Sequence, residues 1–125
     1  SKRNTWWLPL FDGTGQRTAP QSALEAAVHV IFERDFAGQQ TPIVGAEWWI
    51  QGVQPAGQIG FHYDKDEAYA SDHMTMRFPE VSTVTYLTGV GGPTLIVNQT
   101  TPDGNAEIPE LPQLGYICHP QVNKH

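Results

Sequence analysis

Apolar residues along this chain follow two periods, and the change comes near residue 43. Between Ser22 and Gly38, Leu24, Ala27, Val28, Ile31 and Phe32 recur at i, i+3, i+4, i+7 and i+8. That is the stripe of an amphipathic helix. Ser22-Ala-Leu-Glu25 reads as a capping box at its start, and Gly38 is a natural stop. His29 falls off the stripe, which predicts a surface or flanking histidine. Upstream, Trp6, Trp7, Leu8, Leu10 and Phe11 stand among Pro and Gly, a composition expected to pack onto a domain rather than hang free.

Beyond Ile43 the pattern shortens to strand-like runs between turn signals. "VGAEWWIQGVQ" (44–54) ends at Pro55-Ala-Gly57, "QIGFHYD" (58–64) follows, and an acidic, irregular stretch runs from Lys65 to Arg77. "VSTVTYLT" (81–88) is rich in side chains that are stiff at χ1 and favour the pleated chain. Gly89-Val-Gly91-Gly92 interrupts it, "PTLIVNQ" (93–99) resumes, "TTPDGN" (100–105) reads as a turn, and "LGYICH" (114–119) as a last strand. One helix followed by at least five short strands predicts a mostly β (α+β) domain, an antiparallel sheet, sandwich or barrel with the helix laid against it. A length of 125 residues predicts one domain, with a supporting segment 1–42 and a β core 43–125.

Charge and composition remove several functions. The formal net charge is −6, and seven Lys plus Arg are spread without a basic run, which argues against a nucleic-acid partner. No apolar run reaches the roughly 20 residues of a membrane span, and the N-terminal residues lack the apolar core of a signal peptide. Cys118 is the only cysteine, so neither an intrachain disulfide nor a cysteine-rich zinc site is possible, and a cytoplasmic location is expected. Asn98-Gln99-Thr100 has the form of a glycosylation acceptor, a tripeptide common by chance.

The chemistry concentrates in "GFHYDKDE" (60–67). On a strand, Ile59, Phe61 and Tyr63 would share one face, and His62 and Asp64 the other. Their Cα atoms would stand about 7 Å apart, close enough for both side chains to converge on one ion. A histidine and a carboxylate are two of the three ligands in the facial triad that holds Fe(II) with open positions. By itself, H-x-D is also the pattern of a solvated surface pair. The acids at 64, 66, 67 and 72 lack the order of an EF-hand loop and read as a solvated loop bordering the site.

Three separated elements carry a resemblance: His62-Tyr63-Asp64, the "VTYLT" run with Tyr86, and Gly91-Gly92-Pro93-Thr94 leading into "LIV". Together the stretch from Trp48 to Gln99 resembles the Fe(II)/2-oxoglutarate-dependent oxygenases, in their prolyl-4-hydroxylase-like branch. The resemblance implies a double-stranded β-helix of the jelly-roll or cupin-like kind, incomplete at its C-terminal side. It implies Fe(II) on His62 and Asp64, 2-oxoglutarate as cosubstrate with Tyr86 near its carboxylate, and O2. The implied activity is hydroxylation of a peptide or small-molecule substrate with release of succinate and CO2. The alternative is a non-catalytic, cupin-like domain that binds a metal or small ligand.

The family's pattern also needs a second histidine, and an Arg or Lys for the distal carboxylate of 2-oxoglutarate. "ICHPQVNKH" resembles the lead-in to that histidine, and Lys124 is the only basic residue after Arg77. The expected third ligand therefore lies beyond His125, or is otherwise His119, with His125 next and His73 last. A degenerate homologue without turnover is the remaining account.

Overall fold

A computed structural model describes residues 4–54, 57–100 and 111–125. The chain divides into two compact units, 1–52 and 53–125.

In the first unit, β1 (Trp6–Pro9) pairs antiparallel with β2 (Gly45–Trp48), Trp6 opposite Trp48 and Pro9 opposite Gly45. The strand at β1 was not legible as one, because Pro9 and the consecutive tryptophans hide any alternation. Its register explains the composition: Leu8 and Leu10 point inward and are buried, while Trp6 lies over Trp48 with ring centroids 4.9 Å apart. The helix α1 (Ala23–Ile31) starts as the capping signal requires, the Glu25 N–H donating to Ser22 Oγ at 3.1 Å. The reciprocal bond is displaced by one residue, since the Glu25 carboxylate accepts from the Gln21 N–H rather than from that of Ser22.

A π-helical turn, Phe32–Phe36, continues α1, and Gly38 lies just beyond it. Phe32 joins Leu8 and Leu10 in the core, with Phe11, Val28, Phe36, Ile43 and Trp48 packed around them. Segment 10–18 folds back on itself around Asp12. Its Oδ1 accepts from the Thr14 N–H, the Thr14 hydroxyl and the Gln16 N–H, and Gly15 takes the positive φ of 82° that the turn demands.

The second unit contains α2 (Glu67–His73), β3 (Thr94–Val97) and β4 (Gly115–Cys118), the last two paired antiparallel with Thr94 opposite Cys118. The runs 93–99 and 114–119 thus form strands as expected. The "TTPDGN" turn lies almost wholly outside the described residues, as does most of the break at Pro55-Ala-Gly57.

Two expected strands do not form. "VSTVTYLT" has the stiff side chains of a strand but no ladder among the described residues. Among the described residues its backbone bonds at Tyr86, whose N–H donates to the Lys124 carbonyl and whose carbonyl accepts from the Asn123 N–H. Residues 58–64 are likewise without a strand ladder among the described residues. Side-chain stiffness favours an extended residue, but only a neighbouring edge makes a strand. The expected inward face of that run is not buried either, since Ile59 and Phe61 are exposed. The architecture is therefore mixed α+β with two small antiparallel sheets, and no closed barrel occurs among the described residues.

Candidate metal centre

His62 and Asp64 come together without the strand that was expected to align them. The Nε2 atom of His62 stands 3.4 Å from Asp64 Oδ1. The other ring nitrogen, Nδ1, lies 2.8 Å from the Gly60 carbonyl oxygen. A carbonyl only accepts, so Nδ1 carries the proton and Nε2 is the atom turned toward the carboxylate. One ring nitrogen thus donates to a backbone carbonyl, which fixes the ring and its tautomer, and the other faces the Asp64 carboxylate. The Gly60 carbonyl sets the direction of the imidazole.

Two chemical states satisfy this geometry. With Nε2 unprotonated, a lone pair faces a carboxylate, and a cation between them removes the repulsion. With Nε2 protonated, the two groups form an exposed ion pair. The separation alone is compatible with either state. Two donors 3.4 Å apart, each about 2.1 Å from one divalent ion, subtend roughly 110° at it, within the range of tetrahedral and distorted octahedral sites. Both side chains are partly open to solvent, which leaves room for further ligands.

The segment after Asp64 is organised rather than irregular, which corrects the expectation for residues 65–77. Asp66 caps α2, its Oδ1 accepting from the Tyr69 N–H at 2.9 Å. Its Oδ2 pairs with Arg77 at 3.2 Å, and its N–H donates to the Arg77 carbonyl. Arg77 also lies over the ring of Tyr69 at 4.9 Å, and His73 stacks on Tyr69 with centroids 4.0 Å apart. Asp66 followed by Glu67 in the first turn was a legible helix start. Aspartate clustering drew attention to solvation instead.

These contacts also sort the local charges. Lys65 pairs with Glu67 and Arg77 with Asp66, while the ion-pair partner of Asp64 among the described residues is His62.

Tyr63 packs edge-on against Phe78 at 6.1 Å, and both line a shallow, mostly apolar cleft of about 230 Å³ with Gln99 and Thr100. The Tyr86 hydroxyl lies 2.7 Å from Thr94 Oγ1 and 3.0 Å from the Cys118 carbonyl. The carbonyl must receive its single proton, so Thr94 donates to Tyr86. Tyr86 thereby joins β3 to β4, and its hydroxyl is engaged within the protein.

Among the remaining histidines, His125 Nδ1 is 2.7 Å from Thr85 Oγ1, His73 Nδ1 donates to the Tyr69 carbonyl, and the His119 carbonyl accepts from Lys124. Among the described residues no group of three His, Cys, Asp or Glu side chains is arranged to hold a metal. The described fold and site define a mixed α+β chain carrying a His-x-Asp pair in contact at 3.4 Å. No protein-family model, curated protein or solved structure matches the chain.

Proposed function

We propose that the chain is a non-haem Fe(II)- and 2-oxoglutarate-dependent dioxygenase domain that hydroxylates a peptide or small-molecule substrate. The observation that carries this reading is the His62 imidazole, held by the Gly60 carbonyl with Nε2 facing Asp64 at 3.4 Å. The order of His62-x-Asp64, the Tyr86 run and Gly91-Gly92-Pro93-Thr94 along the chain supports it, through the resemblance those elements carry. The double-stranded β-helix belongs to the same proposal.

In this reading His62 Nε2 and an Asp64 oxygen hold the iron, the carboxylate offsetting one of its two positive charges. Held there, Fe(II) with 2-oxoglutarate and O2 would supply the oxidation, the 2-oxoglutarate leaving as succinate and CO2. The bond from His62 Nδ1 to Gly60 keeps the imidazole from rotating away and raises its basicity. The α2 loop, closed by Asp66 and Arg77, leaves directly from Asp64 and borders the substrate's approach. The reading requires a third ligand, and among the described residues no further His, Cys, Asp or Glu is grouped with the pair. The Tyr86 hydroxyl would hold a cosubstrate carboxylate only in place of its bond to the Cys118 carbonyl.

The test is succinate formation from 2-oxoglutarate by the purified protein, with and without added Fe(II). Iron-dependent succinate, lost in His62→Ala, is expected; its absence in the wild-type protein overturns the oxygenase reading. A second reading rests on the lack of a third side chain beside the pair among the described residues. It is a cupin-like domain that binds a metal or small ligand without turnover. Stoichiometric metal binding without succinate selects it.

A further inference from the structure

The first unit contains a polar cluster that the proposed iron site does not use. Arg17 Nη2 lies 2.6 Å from His29 Nδ1, and His29 Nε2 lies 3.3 Å from Thr18 Oγ1. A guanidinium only donates, so Nδ1 holds a lone pair and the proton of the neutral ring sits on Nε2. The Thr18 hydroxyl donates onward to the Pro9 carbonyl at 2.6 Å, which leaves its oxygen free to accept from Nε2. The relay from Arg17 through His29 and Thr18 to Pro9 therefore has one polarity, and only the neutral Nε2–H imidazole completes it.

Arg17 is the hub of the cluster. Its Nη1 pairs with Glu33 at 2.7 Å, and Nη2 also reaches the His29 carbonyl at 3.4 Å. Its guanidinium carbon lies 4.6 Å from the ring centre of Phe32 and 5.7 Å from that of Phe11. Through the bridge between Phe11 and Arg17, this hub fastens segment 10–18 to α1 and its π-helical turn. The charged groups around His29 are already committed. Glu33, one turn on, is bonded to Arg17, and Glu25, one turn back, accepts from the Gln21 N–H. Thr18, its contact from the segment, and Pro9, which Thr18 reaches on β1, carry no charge.

We propose that His29 is a pH-sensitive latch, its neutral ring fastening Arg17 and segment 10–18 to α1 and its protonation releasing them. A proton on Nδ1 turns the acceptor of Arg17 into a donor and sets a second positive charge at hydrogen-bonding distance from the guanidinium. The fastening is present while the ring is neutral and is lost once it is protonated. The segment released has Leu10 at its base, the most deeply buried side chain among the described residues.

All four tryptophans, Trp6, Trp7, Trp48 and Trp49, lie in the first unit, so tryptophan emission, excited selectively over tyrosine, originates in this unit. In His29→Asn the side-chain oxygen stands near the place of Nδ1 and accepts from Arg17 at every pH. Between about pH 7.5 and about pH 5.5, the wild-type melting midpoint is expected to fall by about 3 °C or more beyond the fall in the variant. Equal falls overturn the latch. Nitrogen-15 NMR of the wild-type imidazole decides the matter even where the variant fails to fold. An unprotonated Nδ1 near neutral pH is expected, and a protonated one overturns the proposal.

Discussion

His62 holds its Nε2 atom 3.4 Å from Asp64 Oδ1 while its Nδ1 is committed to the Gly60 carbonyl. The proposed iron site needs both groups, and neither replaces the other. Anaerobic Fe(II) titration is expected to give one site in the wild-type protein. His62→Ala and Asp64→Ala should each weaken it by about 100-fold or more, beyond the range seen when a ligand merely loses its support. Binding unchanged in both variants would remove this pair from the metal centre.

Asp66 performs two tasks in the loop that follows, capping α2 and pairing with Arg77. Loss of a cap costs about 1 kcal/mol, and an exposed pair adds a fraction of that. Asp66→Ala should therefore raise hydrogen exchange across residues 67–74 by about five-fold or more. Asp66→Asn keeps an oxygen that can accept and should stay near wild type. Equal exchange in the two variants would assign the effect to the ion pair.

Leu10 is 1% exposed and sits where β1 ends and segment 10–18 begins. Leu10→Ala leaves a cavity in a core with few buried members, and about 2–5 kcal/mol of stability should be lost. Denaturant unfolding followed by tryptophan fluorescence measures this in the first unit directly. A loss below 1 kcal/mol, within the range of a surface change, would mean that the core collapses around the gap.

Gly45 faces a different restraint. A Cβ there would overlap the ring of Trp7 and stand 2.9 Å from the Leu8 carbonyl oxygen. The ring can swing outward, since Trp7 is largely exposed, but the carbonyl belongs to the β1–β2 ladder. Gly45→Ala is expected to cost about 1–3 kcal/mol and to alter tryptophan emission. Unchanged emission and stability would show that the strand pair accommodates the methyl group.

The carboxyl of Asp12 is held below its usual range by hydrogen bonds, first from the Thr14 hydroxyl and then from the Thr14 and Gln16 backbone. A lowered folded-state value stabilises the turn above the ordinary carboxylate range and ceases to do so as pH falls through the lowered value. An NMR titration should find the Thr14 and Gln16 amides shifting below about pH 3.9, the usual aspartate value. In Asp12→Asn that shift should vanish. A midpoint at or above the usual value in the wild-type protein would contradict the bonding described.

Local signals were legible where the physics is local. Ser22 and Glu25 announced α1 through bonds made within one turn, and the 93–99 and 114–119 runs announced β3 and β4. The strand expected at 81–88 failed, because Val and Thr favour extension but cannot supply a partner edge. The helix α2 was overlooked because its acids, read as a charged loop, include the cap itself.

By itself, the sequence determined which residues could do chemistry and which local turns could start. His62 and Asp64 stand two apart, Ser22 precedes a helical stripe, and Asp12 lies two residues before Thr14. Tertiary structure alone decided what those groups meet. It turned the His62 ring by way of the Gly60 carbonyl, tied Tyr86 between Thr94 and Cys118, and brought Arg17 onto His29. Residue order sets reach and propensity, whereas a hydrogen bond's direction depends on the atom that folding brings to the other end.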